Sequence, residues 1–159
     1  ATRRAVLTGL GVFSPIGAGP DAFWRALVAG TPGVRTIRHF DAAALPCRVA
    51  AECLDFDAKT VVPKEYRKSL NKMARTVQLG FCAGLAAWDD GRGPKKGEID
   101  PFRFGVEFGC VMVATDLEDV SRASKKSVNC APGVVNMELW GRDGLREIPP
   151  QWMLKYLPN

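Results

Sequence analysis

The chain opens with an apolar run that stops at two glycines. Val6 and Leu7 follow a pair of arginines, and Gly9 and Gly11 come soon after them. A short apolar run bounded by turn residues is typical of a buried strand, and glycine supplies the backbone freedom that a turn needs. We therefore predict a buried strand at residues 6–7. The residues alone leave open whether the following turn cradles a phosphate or begins an α/β core.

Apolar residues at helical spacing predict two helices further along. The first covers residues 21–29, where Gly-Pro-Asp supplies a start signal and a Gly-Thr-Pro-Gly turn a stop. The second covers residues 64–89 and begins directly after Pro63. Its apolar face consists of Leu70, Met73, Val77, Phe81, Leu85 and Trp88. The small residues of this long helix predict close packing against a neighbouring element.

The rest of the chain predicts further strands and a last helix, which together indicate an α/β fold. Short alternating pieces within residues 34–57 predict strands or hairpins, and an apolar run predicts a second buried strand at residues 104–113. A polar loop at residues 91–101 separates the long helix from this strand, an order typical of a βαβ unit. Residues 151–157 predict the start of a last helix, whereas the polar stretch 124–144 predicts no particular element.

Composition then limits the class of protein. With 159 residues, 47% hydrophobic and 25% charged, the chain has the composition of one globular domain. It has no run of about 20 apolar residues, so we predict no membrane span. The apolar run near residue 6 is too short for a signal peptide. A cytoplasmic protein is the resulting expectation.

The sequence gives no support for a metal or a cofactor. The five cysteines are unevenly spaced, and His39 is the only histidine, so the spacing of a zinc site is missing. We predict mostly buried thiols in a reducing compartment. A dinucleotide fingerprint needs a third glycine opening into a helix, but Ser14 stands there and Pro15 follows. A structural turn is therefore favoured at Gly9 and Gly11.

Charge indicates the chemistry of a partner. The net charge of +5 suits an acidic partner, and a protein fits because no nucleic-acid motif is present. Four basic residues cluster at the start of the long predicted helix: Lys64, Arg67, Lys68 and Lys72. A solvated helix face and a docking surface are both consistent with this cluster.

Five motifs in the same order resemble the N-terminal region of β-ketoacyl synthases, the condensing enzymes of fatty-acid and polyketide assembly in the thiolase superfamily. They are the Val-Leu-Thr-Gly-Leu-Gly-Val-Phe-Ser-Pro-Ile-Gly run at residues 6–17, the Trp-Arg-Ala-Leu-Val-Ala-Gly helix at 24–30, Phe40-Asp41, the Lys-Met-Ala-Arg start at 72–75, and residues 148–159. The resemblance implies a thiolase-like layered α/β fold, of which this chain is the N-terminal part with an incomplete core.

The family's reaction explains which residues this chain lacks. A cysteine thiolate in a Thr-Ala-Cys-Ser context holds the acyl group, and two histidines assist decarboxylation of a malonyl extender. The resemblance places all three beyond Asn159. Residues 1–159 are thus expected to be the N-terminal part of a ketosynthase domain, with no catalytic residue and no activity alone. Neither Cys110 nor Cys130 follows Thr-Ala.

The resemblance also implies binding residues and partners. Lys64, Arg67, Lys68 and Lys72 would dock an acidic acyl carrier protein that delivers acyl and malonyl thioesters. Met112 and Trp152 match positions near the acyl chain of a dimer, with Trp152 reaching the partner's pocket; ordinary core packing explains both equally well. The assembly would be a homodimer or a heterodimer of a synthase with a chain-length factor.

Departures from the family pattern keep two further hypotheses open. The glycine-rich turn expected after Gly109 has lost most of its glycines at residues 110–114, and Ala74 replaces an aspartate. A non-condensing subunit resembling a chain-length factor would tolerate such changes. A small self-sufficient binding module, with no enzymatic parent, is the third hypothesis and rests on the basic cluster and the globular composition.

Overall fold

The structure, a computed structural model, describes residues 3–110, 115–128 and 134–156. The chain divides into two compact units, Ala1–Arg67 with Leu79–Phe108 and Lys68–Gln78 with Gly109–Asn159. The strands are β1 (Phe13–Ser14), β2 (Gly17–Ala18), β3 (Val34–Thr36) and β4 (Val49–Ala51). The α-helices are α1 (Pro20–Val28), α2 (Ala58–Val61), α3 (Arg75–Asp90), α4 (Leu117–Lys126), α5 (Met137–Arg142) and α6 (Trp152–Tyr156). The 3-10 helices are Lys64–Lys72, called the basic helix below, Pro101–Arg103 and Gly144–Glu147.

The described strands form two antiparallel hairpins. β1 pairs with β2 through Phe13 opposite Ala18, and β3 pairs with β4 through Arg35 opposite Ala50. The second hairpin confirms the strands that were predicted within residues 34–57. No parallel pair occurs in residues 3–110, 115–128 and 134–156, so the predicted βαβ unit is not found there.

Helix α1 confirms the first predicted helix. It ends in a Schellman motif, in which the Gly30 amide bonds to the Leu27 carbonyl and the Thr31 amide bonds to the Ala26 carbonyl. Gly30 has a φ of 65°, the left-handed conformation that this motif requires and that glycine adopts without steric cost. The Gly-Thr-Pro-Gly turn therefore ends the helix as predicted.

The buried strand predicted at residues 6–7 is wrong. Residues 3–12 form no strand, and Val6 and Leu7 are 72% and 89% exposed. This segment packs its glycines on α3, because a Cβ on Gly11 would overlap the Ala83 carbonyl oxygen. The Asp90 carboxylate accepts a hydrogen bond from the Leu10 amide at 2.9 Å. The small residues were correctly predicted to allow close packing, but they pack an irregular segment.

The long predicted helix is two helices. The basic helix covers Lys64–Lys72, and α3 begins at Arg75 after a break at Met73 and Ala74. The Gln78 side chain explains the break, since its Nε2 donates to the carbonyl oxygens of Leu70, at 3.1 Å, and Met73, at 3.0 Å. These carbonyls thus bond to a side chain at the junction of the two helices.

The strand predicted at residues 104–113 is wrong over its described part. Residues 104–110 form no strand and are exposed, and residues 111–113 lie outside the described residues. The ring of Phe108 lies where a Cβ on Gly80 would stand, and Phe104 makes an edge-to-face contact with Trp88 at 5.4 Å. An apolar run predicts burial, but this segment has no paired strand in the described chain and contacts α3 only through single, still exposed side chains.

The second unit is helical over its described part. Within residues 124–144, where no element was predicted, the structure has the end of α4, all of α5 and the start of a 3-10 helix. Asn136 caps α5 by accepting hydrogen bonds from the amides of Glu138 and Leu139. Ser127 is fully buried and donates to the Ala123 carbonyl at 2.6 Å. The last predicted helix is confirmed as α6.

Among the described residues, no helix combines the length and the apolar character that a bilayer crossing requires. The same residues contain no group of three or more histidine, cysteine and acidic side chains placed to hold a metal ion.

Candidate functional site

The basic helix carries all four of the predicted docking residues. Lys64, Lys68 and Lys72 are exposed, whereas Arg67 is half-buried. Lys64 and Arg67 belong to the first compact unit, and Lys68 and Lys72 to the second. The ion pairs of the described chain involve none of these four residues. Their charges are therefore available to a partner, as both a solvated face and a docking surface would require.

Arg67 differs from the three lysines because it is bonded to the chain that precedes the helix. Its Nε donates to the carbonyl oxygen of Val62 at 3.0 Å. Val62 is 1% exposed and follows α2, whose first turn is capped by the Asp57 carboxylate at the Lys59 amide. The Arg67 side chain thus joins the basic helix to a buried residue.

Of the two acyl-pocket candidates, the structure describes only Trp152. Met112 lies outside the described residues, whereas Trp152 begins α6 and is half-buried in the second unit. The Trp152 ring lies 5.5 Å from the Tyr156 ring in a tilted arrangement. The indole Nε1 of Trp152 is buried and donates to no acceptor within the described part of the chain. The structure therefore describes one of the two candidates, and the indole N–H of this residue has no acceptor among the described residues.

A polar cluster next to Trp152 was missed by the sequence analysis. Lys155 Nζ lies 2.6 Å from the Asp116 carboxylate, and the Asp116 amide donates to the Tyr156 hydroxyl at 3.3 Å. Burial raises the pKa of Tyr156 above its usual value. Partial burial lowers the pKa of Lys155, but bonds to Asp116 and Tyr156 outweigh it, so this pKa is raised. These residues are about 40 positions apart, and no local pattern relates them.

The first unit contains a cleft of about 440 Å³ beside the β1–β2 hairpin. Its charged lining residues include Arg35, Glu52 and Asp57. The Glu52 carboxylate accepts hydrogen bonds from the amides of Arg38 and His39, and the Asp57 carboxylate accepts one from Lys59. Both carboxylates therefore have structural bonds, and none of the predicted site residues lines this cleft.

Cys82 has the surroundings of a structural thiol rather than those of an activated nucleophile. Cys82 is fully buried, and burial raises the pKa of its thiol, with the negative charge of Asp57 adding to the effect. A raised pKa favours the neutral thiol over the reactive thiolate. Cys47 and Cys110 are exposed and Cys53 is half-buried, so the prediction of mostly buried thiols is wrong for the four described cysteines. Cys130 lies outside the described residues.

Comparison with known proteins decides the family. Residues 2–145 match the family model "Beta-ketoacyl synthase, N-terminal domain", which includes the whole of the basic helix and α3. The chain belongs to the β-ketoacyl synthase family. The resemblance to this family is thereby confirmed: four of the five sequence motifs lie within the matched residues, and the fifth, at residues 148–159, lies after them. Trp152 lies after the matched residues.

Relatives of this ketosynthase-family chain come from two kinds of biosynthesis. It is 41% identical over 107 residues to the 3-oxoacyl-[acyl-carrier-protein] synthase 2 of Coxiella burnetii, covering 67% of this chain and 25% of that protein. It is 39% identical over 118 residues to the tetracenomycin polyketide synthase ketoacyl synthase alpha subunit of Streptomyces glaucescens, covering 72% and 26%. The chain therefore spans about a quarter of the length of these curated relatives.

A solved structure supports the same relationship in three dimensions. The ishigamide ketosynthase/chain length factor matches 98% of this chain with a TM-score of 0.62 and 26% sequence identity. The match covers 34% of that chain. The fold of this chain is thus similar to part of the ketosynthase/chain length factor structure.

Proposed function

We propose that this chain is the N-terminal part of a β-ketoacyl synthase that condenses an acyl thioester with a malonyl-carrier extender. The family match over residues 2–145 carries the proposal, because it covers most of the chain. Relatives from fatty-acid and polyketide synthesis support either role. We also propose that the whole protein has the thiolase-like layered fold, for which the match to the solved ketosynthase/chain length factor is the support.

The proposed reaction forms a carbon–carbon bond. A cysteine thiolate holds the acyl group as a thioester, and loss of carbon dioxide from the malonyl group leaves an enolate that attacks this thioester carbonyl. The bond to the cysteine sulfur breaks, and the thiolate is released. Hydrogen-bond donors stabilise the oxygen that gains negative charge. We assign the cysteine and the histidines of this step to residues outside positions 1–159.

The contribution of this chain, in the proposal, is to bind the carrier. Lys64, Arg67, Lys68 and Lys72 would attract the acidic acyl carrier protein, and the exposure of the three lysines without ion-pair partners in the described chain supports this. Exposed charges act chiefly on the association rate, and salt screens them. Docking should therefore weaken as ionic strength rises.

Charge reversal tests the docking. In the full-length protein, Lys64→Glu and Lys68→Glu should each raise the KM for carrier-bound substrate and reduce its dependence on salt. The rate with a short thioester that lacks the carrier should stay unchanged. Lys96→Glu is the matched control, because Lys96 is an exposed lysine in a loop of the first unit. Equal effects of Lys64→Glu and Lys96→Glu on the KM for carrier-bound substrate would contradict docking at the basic helix.

The acyl pocket is proposed to include Met112 and Trp152 in a dimer. The half-buried ring of Trp152 and its indole Nε1 without an acceptor in the described chain support a place beside another molecule or subunit. The assembly would be a homodimer or a synthase paired with a chain-length factor. Light scattering tests this, and a monomeric full-length protein would contradict the cross-subunit role of Trp152.

A subunit resembling a chain-length factor is the second candidate function. The matched solved structure, a ketosynthase/chain length factor, is compatible with this candidate as well as with the first. Such a subunit would lack the cysteine and would not condense thioesters alone. Family membership favours both candidates over an independent binding module. Incubating the full-length protein with a radiolabelled acyl thioester separates the two, because only the condensing enzyme retains label on a cysteine.

A further inference from the structure

The four basic residues of the basic helix are not equivalent in the structure. Lys64, Lys68 and Lys72 are exposed, but Arg67 is half-buried and donates its Nε hydrogen to the Val62 carbonyl. Leu70, one 3-10 turn after Arg67, is 4% exposed, whereas Lys64, one turn before Arg67, is exposed at the start of the helix. Lys68 is in register with Glu65 and Asn71, both exposed. The half-buried side chain of Arg67 and its bond to buried Val62 thus place Arg67 on the inward side of the helix.

The Val62 carbonyl needs a donor from a side chain. Val62 closes α2 through its amide, which bonds to the Ala58 carbonyl, and its own backbone is extended. The next backbone bond of the chain joins the Tyr66 amide to the Pro63 carbonyl, at 3.0 Å. No backbone amide of the described residues reaches the carbonyl of Val62. Because a buried carbonyl without a donor is costly, the bond from Arg67 fixes where the basic helix begins.

From these contacts we infer that Arg67 is a positioning residue for carrier docking: it holds the start of the basic helix through the Val62 carbonyl and thereby fixes where Lys64 presents its charge. The inference rests on the proposed function of this helix. The hydrogen bond from Nε holds the helix in place. The positive charge of the guanidinium group contributes no more to carrier binding than the charge of an exposed lysine.

Three substitutions separate the donor from the charge. Arg67→Gln places its amide nitrogen at the position of the arginine Nε, so it keeps the donor and loses the charge. Arg67→Met keeps the length of the stem and loses both. Arg67→Lys keeps the charge and moves the donor one bond further out. Lys64→Gln is the control for loss of an exposed charge in the same unit.

The first measurement is the affinity of each full-length variant for holo acyl carrier protein. Arg67→Gln should weaken binding no more than Lys64→Gln does. Arg67→Met should weaken binding about fivefold to tenfold further, the equivalent of one lost hydrogen bond. Arg67→Lys should bind less well than Arg67→Gln. The far-ultraviolet circular dichroism spectrum should be the same in all variants, since a general loss of structure would change it.

The second measurement is hydrogen exchange at the Tyr66 amide, which needs no carrier. Its protection should fall in Arg67→Met and persist in Arg67→Gln and Lys64→Gln. Equal losses of affinity in Arg67→Gln and Arg67→Met, with normal binding by Arg67→Lys, would overturn the inference in favour of charge. If Lys64→Gln and every Arg67 variant bind the carrier normally, the docking proposal fails. The exchange result then decides alone whether Arg67 anchors the helix.

Discussion

Gly11 is a position where a single methyl group cannot be added. A Cβ there would overlap the Ala83 carbonyl oxygen and lie 2.6 Å from the Ala87 amide nitrogen, both in the backbone of α3. A backbone cannot move aside as a flexible side chain can. The glycine therefore fixes how closely the N-terminal segment approaches the helix.

We expect Gly11→Ala to lower the free energy of unfolding by about 1–3 kcal/mol, the usual cost of overpacking. Gly105→Ala is the matched control, because nothing lies within 4 Å of a Cβ at Gly105. That control should be neutral or slightly stabilising, since alanine restricts the unfolded chain. Urea unfolding of the full-length protein measures both, and equal stability of the two variants would contradict the close packing.

Cys82 should make the stability of the first unit depend on pH in the alkaline range. Burial and the charge of Asp57 raise the pKa of its thiol above the value in the unfolded chain, which is about 8.5. A raised pKa contributes stability that is complete below the unfolded value and is lost as pH rises through the folded value. The free energy of unfolding should thus decrease more steeply between about pH 8 and 10 in the wild type than in Cys82→Ala. Equal slopes would contradict this, and Cys47→Ala, at an exposed thiol, is the control.

At the scale of elements, Gln78 separates two helices that the sequence pattern joins. Its side-chain amide bonds to the carbonyls of Leu70 and Met73, within the second unit. Gln78→Glu removes both donors and brings a carboxylate against two carbonyl oxygens. We expect it to cost about 1–3 kcal/mol of unfolding free energy and to increase hydrogen exchange at the Met73 amide. The same change at exposed Gln151 should have little effect, and a similar cost at both positions would contradict the role of Gln78.

The elements that could be predicted from the sequence are those fixed by local signals. Gly30 ends α1 as its left-handed conformation requires, and Pro63 precedes the basic helix. The break at Met73 depends on a side chain five residues later, which hydrophobic spacing does not encode. The runs at residues 6–7 and 104–110 are apolar enough for strands, but a strand also needs a partner, and the described chain supplies none.

The candidate site could be predicted only in part for the same reason. The basic residues form a local cluster, so the sequence located Lys64 and Lys68 on one exposed helix. The bond from Arg67 to Val62 depends on where α2 ends, and the ion pair of Lys155 with Asp116 spans 39 positions. Long-range contacts of this kind follow from packing and have no signature in residue spacing.

At the scale of the whole molecule, large apolar side chains are left exposed in the first unit. Leu7, Val106 and Phe102 are 89%, 83% and 100% exposed, and they lie in segments without strand partners in the described chain. Single exposed apolar residues are ordinary in soluble proteins, but we expect exposed apolar segments to be covered by further polypeptide. The isolated chain should therefore behave as a protein with unburied core residues.

We predict that the 159-residue chain by itself binds a hydrophobic dye such as anilinonaphthalene sulfonate and self-associates in light scattering. The double substitution Leu7→Lys with Val106→Lys should lower the dye signal, whereas Thr31→Lys, at an exposed polar residue, should not. In a protein as long as the relatives the dye signal should be small, because further strands would cover both segments. There the double substitution should destabilise the fold, since it would bury two lysines. A monomeric 159-residue chain with a sharp thermal transition and no dye binding would contradict the prediction and show that these apolar side chains need no cover.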